Sequence, residues 1–466
     1  MWLQTQYTFA HNSSAAAIAS GAYSSIRLMS GDSQTNGLYP DHPPPHPWAH
    51  SKDAVALSVD DPDSWHQFSA PCWHFAEAIV DQFVAAGKTA PTLGLVAMAI
   101  GGSAIEEWVD LPTQEACAYY EHQANGGPNN HVLYDTMVRS FVNMTIKGWA
   151  YYQGENNAGS LHGNFLTSTG YACLMPRLIS SWRAAWSATP GTTDPLAPFG
   201  LCTLSSDDSE GSADMGSFRF AQSGSFGYAP NPAMPNTFIA HGYDLADPWV
   251  YCGDKPQTKQ CAGCDSADPE YDCMQEWYMG PGIHPRLKKP IGQRLAALFL
   301  ASTYGWGGPV IGPTISGCAL GSDSLIVAFN QTMLAGAALV VHPFESAQEG
   351  ALSVLVNSTD DAGTGTWVAL NYTLLAPASL SIDLGPLSGA LPQAVKYAWG
   401  ATGGRPNEAD VICCKSGGAA AECVPGQCPV FVATPLAPFG GLPANPFLAK
   451  IVGGKCECPA PQVCDA

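Results

Sequence analysis

Charge is scarce in this chain, and positive charge scarcer still. Asp, Glu, Lys and Arg make up 12% of its 466 residues, with 19 basic against 39 acidic side chains and a formal net charge of -20. Such an acidic surface excludes nucleic acid and anionic membranes as partners, because both repel it. Long apolar runs are lacking too. No stretch reaches the roughly 18 residues that a membrane-spanning helix needs. The first residues, Met1-Trp2-Leu3-Gln4-Thr5-Gln6, have neither the basic start nor the apolar centre of a signal peptide.

What is plentiful points to an oxidising compartment. There are 16 cysteines, clustered at Cys252, Cys261, Cys264 and Cys273, at Cys413, Cys414, Cys423 and Cys428, and at Cys456, Cys458 and Cys464. Asn-x-Ser/Thr sequons occur at Asn12, Asn143, Asn330, Asn357 and Asn371. Both features suit a secreted or lysosomal glycoprotein. Cys261 and Cys264 could be half of a zinc site. No second Cys-x-x-Cys or His pair stands at zinc-finger spacing, so disulfides in a loop are expected and no metal. A body of this kind without a signal leads us to expect the true start upstream of Met1.

The stretch Lys147-Gly148-Trp149-Ala150-Tyr151-Tyr152-Gln153-Gly154-Glu155-Asn156-Asn157 holds the densest chemistry. The apolar run over 141–152 reads as a strand buried on both faces. It stops in amides and a carboxylate around one glycine. In open α/β sheets ligands bind outside the carboxyl ends of strands, and amides there can donate to a carbonyl oxygen that turns negative during acyl transfer. An ordinary polar turn would have the same composition.

Around that stretch the chain alternates strands and helices. A short helix is expected over 14–22 and a strand over 25–29. Helix 69–87 has Ser69 as its cap, Pro71 in its first turn, and Cys72, Phe75, Ala76, Ile79, Val80 and Phe83 on one face. Strand 92–100 ends in Gly101-Gly102-Ser103, followed by a helix over 104–109. That order turns backbone N–H groups toward a helix start. Helix 171–186, strand 198–204 and helix 287–302 complete a parallel sheet covered on both sides. Residues 249–279 read as a Cys-rich insertion. From about 308 short β runs alternate with Gly, Pro and Asn turns, the pattern of an all-β sandwich. The domains expected are therefore 1–308, 309–455 and a Cys-rich tail, 456–466.

Taken in order, several stretches resemble the sialate O-acetylesterase family of SGNH-type serine hydrolases. They include Ile100-Gly101-Gly102-Ser103-Ala104-Ile105-Glu106-Glu107-Trp108 and Trp149 to Asn157. Phe218-Arg219-Phe220-Ala221-Gln222, Met234-Pro235-Asn236-Thr237-Phe238-Ile239-Ala240, Ile283-His284-Pro285-Arg286 and Leu442-Pro443-Ala444-Asn445-Pro446-Phe447 follow. The resemblance implies an α/β fold with a three-layer α/β/α SGNH-hydrolase-like domain and accompanying β domains. It implies hydrolysis of O-acetyl esters of sialic acids to acetate, without metal or other cofactor. His284 would be the general base, and Gly102 N–H and the Gln153 amide the oxyanion hole, with Asn157 nearby. The partner would be an O-acetylated sialic acid or a related acetylated glycan.

The chain departs from the pattern twice. SGNH hydrolases commonly carry Asp three residues before the histidine, where this chain has Pro281. Asp244 and Asp247 are candidates for that acid, though surface-turn carboxylates would look the same. The nucleophilic serine of the family's Gly-Gln-Ser-Asn-Met falls, in register, just before Met1, so this form is expected to lack it. Ser33, in Ser30-Gly31-Asp32-Ser33, is the alternative nucleophile. Two other functions fit the same residues: an inactive carbohydrate-binding relative, and an acetylesterase acting on another acetylated glycan.

Overall fold

The computed structural model describes residues 3–30, 48–61, 63–117, 131–159, 170–205, 215–245, 284–341, 352–357, 365–399 and 430–457. Ser33, Asp247, Pro281 and the Cys-rich insertion lie outside the described residues. The first part is α/β. Strands β1 (Ile26–Ser30), β2 (Ala49–His50) and β3 (Leu93–Ala97) form one sheet, with β1 and β3 parallel and β2 antiparallel at the edge. Strands β4 (Trp149–Tyr152), β5 (Phe199–Cys202) and β6 (Thr237–Ala240) form a second, all-parallel sheet.

The amphipathic helices expected from sequence occur at Ala70–Ala85, Gly170–Trp186 and Lys288–Tyr304. Helix Gly170–Trp186 buries Leu174, Leu178, Ile179 and Trp182 against Tyr151 and Phe199. Ser69 is the N-cap of Ala70–Ala85, yet its side chain makes no capping hydrogen bond. The apolar run over 141–152 is not one strand. Arg139–Phe141 is helical and only Trp149–Tyr152 is extended. Asn143, Thr145 and Lys147 are exposed, and they alternate with half-buried residues in the turn between.

The C-terminal part is antiparallel β. Nine strands form a large half-barrel sheet, and Leu339–Val341, Val430–Thr434 and Ala437–Pro443 form a smaller one. Side chains of both sheets meet in one apolar core, which also takes in Leu295 and Leu298 of helix Lys288–Tyr304. This helix therefore belongs to the cores of both parts. The disulfide Cys318–Cys456 joins the first and last strands of the large sheet, and Cys117–Cys173 braces the α/β part.

Polar groups pin the same helix. The Arg294 guanidinium donates to both oxygens of Asp244, at 2.6 and 2.5 Å. It also donates to the carbonyls of His241 (2.7 Å) and Gly441 (3.0 Å). Asp244 is thus buried and committed to Arg294, and the surface-turn reading of it is corrected. Near the start of the same helix, buried Glu77 accepts from His74 Nδ1 (2.6 Å) and from Ser14 (2.8 Å), with Lys289 Nζ at 3.4 Å. Burial alone would raise the Glu77 pKa; these partners override it and hold the carboxyl down at about 2.

Two outcomes follow from these pairs. Asp244→Ala leaves a buried guanidinium uncompensated, so urea unfolding should show a loss of about 3–5 kcal/mol. Glu77 has a depressed folded pKa, so its contribution is present above its unfolded pKa. That contribution is lost as pH falls from about 4.5 toward about 2. Acid titration of Glu77→Gln should lack this step, and a wild-type-like acid transition in the variant would refute the assignment.

Candidate functional site

The site lies at the carboxyl ends of β3 and β4. After β3 the chain turns at Gly102, whose φ of +73° suits glycine and whose exposed position leaves open space where a side chain would be. Residues Ile105–Trp108 then form a short 3₁₀ helix where a longer α-helical segment was expected. After β4 the chain turns at Gly154 (φ +141°). A Cβ there would meet the Phe218 ring at 2.6 Å. Helix Glu155–Gly159 follows.

These two turns are stitched together by side-chain amides. Gln153 Nε2 donates to Ser103 O (3.0 Å) and to Asn157 Oδ1 (2.8 Å). Asn157 Oδ1 also accepts from Ile105 N (2.8 Å), and Asn157 Nδ2 donates to Glu106 Oε2 (3.0 Å). Tyr171 OH donates to Gln153 Oε1 (2.9 Å) and Gln222 Nε2 to Gln153 O (3.0 Å). Gln153 and Asn157 are both buried. Both protons of the Gln153 amide are therefore used inside the protein. In this arrangement Gln153 is first a brace, and an oxyanion can take one of its protons only by displacing Ser103 O or Asn157 Oδ1.

His284 is half-buried just ahead of helix Lys288–Tyr304. When protonated, it lowers the pKa of Glu155, the residue that opens the helix after Gly154. Burial works to raise the Glu155 pKa, but the positive charge around it, His284 included, keeps it below the usual value. The structure thus brings the turn at Gly102 and Ser103 together with Gln153 and Asn157, and His284 lies within electrostatic range of Glu155 beside them. Lys288 is fully buried, with its ammonium 4.7 Å from the centre of the Tyr152 ring. Burial pushes the Cys202 thiol, at the end of β5, up to about 12.

Sequence reasoning missed Glu155 as a site residue, although it stands within the Gln-Gly-Glu turn. It missed Tyr171 and Gln222 because their partner is 18 and 69 positions away. Glu106 showed no signal beyond its place in the Gly-Gly block. Burial raises the Glu106 pKa, against the opposing bond from Asn157.

The Tyr171 hydroxyl is a direct test of the brace. Tyr171→Phe removes the donor to buried Gln153 Oε1 and should cost about 1–3 kcal/mol in urea unfolding. An unchanged midpoint would mean that the brace is not held from this side.

Comparison with known proteins now bears on the site. Residues 44–189 match the family model described as carbohydrate esterase, sialic acid-specific acetylesterase. That span contains Gly102, Gln153 and Asn157 but not His284. The chain is 38% identical over 188 residues to the sialate O-acetylesterases of Homo sapiens and Pongo abelii, covering 38% of this chain and 34% of each relative. The sialate O-acetylesterase of Mus musculus is 33% identical over 214 residues, with 37% of its length covered. The matched part is thus about a third of these relatives' length. A solved structure, a novel carbohydrate acetylesterase from Xanthomonas citri, aligns with a TM-score of 0.61 over 96% of this chain and 78% of its own. At 18% identity that likeness concerns the fold alone.

Proposed function

We propose that this chain, which carries the sialic acid-specific acetylesterase domain over residues 44–189, is a carbohydrate esterase that removes O-acetyl groups from sialic acids. The observation that carries the reading is the meeting of the 102–103 turn with Gln153 and Asn157 at two strand ends, with His284 within electrostatic range of Glu155 in the same loop. Acyl transfer needs a base beside a nucleophile and donors aimed at the developing oxyanion. His284 takes the hydroxyl proton as that hydroxyl attacks the acetyl carbonyl. It then returns the proton to the departing sugar oxygen, leaving an acetyl-enzyme that water hydrolyses in the reverse sense. Gly102 N–H and Gln153 Nε2 receive the oxyanion, and Asn157 holds the amide in place.

Glu155 is the acid that fits beside His284. Asp244 is taken by Arg294, whereas Glu155 is the buried carboxylate within electrostatic range of the histidine. Its carboxylate stabilises the imidazolium formed during attack. For the nucleophile two sources remain to be distinguished, Ser33 and a serine carried on a longer chain. The cysteines and sequons support a secreted or lysosomal glycoprotein; Asn143, Asn357 and Asn371 are exposed.

Acetate release from O-acetylated sialic acid, set against acetylated xylan, tests the substrate class. Release from xylan alone would move the reading to another glycan; release from neither, in any form of the chain, would favour a carbohydrate-binding relative. Where acetate is released, His284→Ala should abolish turnover, and Gln153→Ala should lower kcat about 10²–10³-fold. Glu155→Gln should shift the acid limb of the pH–rate profile to lower pH, because the imidazolium loses its neighbour. A lower rate with an unmoved limb would make Glu155 merely structural. Ser33→Ala, and a form extended upstream of Met1, separate the two nucleophile sources.

A further inference from the structure

The amino ends of β4, β5 and β6 border a cleft of about 540 Å³, within the roughly 300–1,000 Å³ of small-ligand sites. Thr145 and Lys147 line it ahead of β4, Asp194, Leu196 and Pro198 ahead of β5, and Asn236 ahead of β6. The last turn of helix Lys288–Tyr304 completes the lining. This is the end of the sheet opposite the candidate active site. From Lys288 to Ser302 that helix rises about 20 Å.

The walls are fixed before any ligand arrives. Buried Arg183 donates to Ala197 O (3.0 and 2.8 Å), to Pro235 O (2.8 Å) and to Asn236 O (3.0 Å). One guanidinium thus ties the turn before β5 to the turn before β6. Asn236 Nδ2 donates to Leu196 O (2.6 Å), and Ile146 N donates to Thr193 Oγ1 (3.0 Å). Walls held in this way lower the cost of ordering a site around its ligand.

The polar groups left over suit hydroxyls. Asp194 Oδ1 accepts from Leu196 N (2.7 Å), and among the described residues no hydrogen bond engages its other oxygen. Asn236 keeps its amide oxygen, and the side chains of Thr145 and Lys147 have no partner among the described residues. A hydroxyl both donates and accepts, so a mixed set of acceptors and donors matches a polyol. Leu196, 54% exposed, and Pro198 supply an apolar wall for the C–H face of a ring. The opposite charges of Lys147 and Asp194 argue against a polyanion, and one carboxylate is too few for a calcium ion.

We propose that this cleft is a glycan-binding site separate from the esterase site, seating one pyranose ring against Lys147, Asp194 and Asn236. It gives a role to the polar Thr145 and Lys147 inside the apolar run over 141–152. Two sources supply such a ring. Asn143 is exposed and opens the sequon Asn143-Met144-Thr145, which leads into the cleft; a glycan there reaches it within the molecule. A separate glycan reaches it from solution. The proposal rests on the cleft and not on the esterase reading.

Saturation-transfer NMR on the full chain tests it, with N-acetyllactosamine as the probe. That sugar carries no O-acetyl ester, so the readout does not depend on esterase activity. The chain stripped of any N-glycans should transfer saturation to the probe. Leu196→Arg, at an exposed position, should abolish the transfer, and Lys147→Ala should weaken binding about tenfold. His284→Ala should leave it unchanged. Equal binding by the unstripped chain assigns the ring to a separate glycan; binding only after stripping assigns it to the chain's own. No transfer from the stripped chain, transfer indifferent to both cleft variants, or transfer lost in His284→Ala would each overturn the proposal. The last of these would mean that the sugar sits in the esterase site.

Discussion

The ion pair between Arg294 and Asp244 is fully buried, so its geometry must satisfy both charges inside the protein. Two oxygens meet two guanidinium nitrogens, and the remaining donors reach the carbonyls of His241 and Gly441. A buried pair of this kind is weak evidence for stability as such, because desolvation offsets much of the attraction. It does fix position. Arg294 lies in the helix that follows His284, Asp244 follows β6, and Gly441 lies in the β part. One side chain therefore sets the height of the candidate base relative to both the parallel sheet and the half-barrel. Nearby, His241 bonds to Asn445 Oδ1 at 2.6 Å and to Thr203 at 3.0 Å. Burial holds its pKa down at about 3, so it remains a neutral tie between the two parts.

The same logic governs the candidate site. Amides that could serve a substrate are first occupied in holding two turns together. Gln153 joins Ser103 to Asn157, and Asn157 reaches back to Ile105 and Glu106. A low-dielectric site keeps such donors aligned before any ligand arrives. The C-terminal part contributes to this only at a distance. Its polar contacts with the α/β part include those of Asn445, Ala444 and Ala398 with His241, Tyr243 and Arg219.

Much of the fold was legible because its signals are local. The face of helix 70–85 and the alternation in strand Ser324–Phe329 follow from periods of 3.6 and 2. The grouping of Gly102, Gln153 and Asn157 was legible only through their order in motifs, since spacing alone describes a polar turn equally well. What escaped was set by distant partners. Asp244 read as a surface carboxylate because Arg294 is 50 positions away. The run over 141–152 read as one strand because hydropathy averages over Asn143, Thr145 and Lys147, whose exposure the fold alone decides.

The disulfide between Cys318 and Cys456 has a mechanical consequence. It lies where the chain enters the large antiparallel sheet, at strand Ile315–Leu320, and where it reaches the last strand, Lys455–Glu457. Lys455 pairs with Ala319 across the same seam. Entry and last strand are neighbours, so tension applied at residues 315 and 457 runs through one covalent link and never peels the strands between them. Reduction would open that loop and expose the seam to load, making redox state a control on how the half-barrel resists pulling.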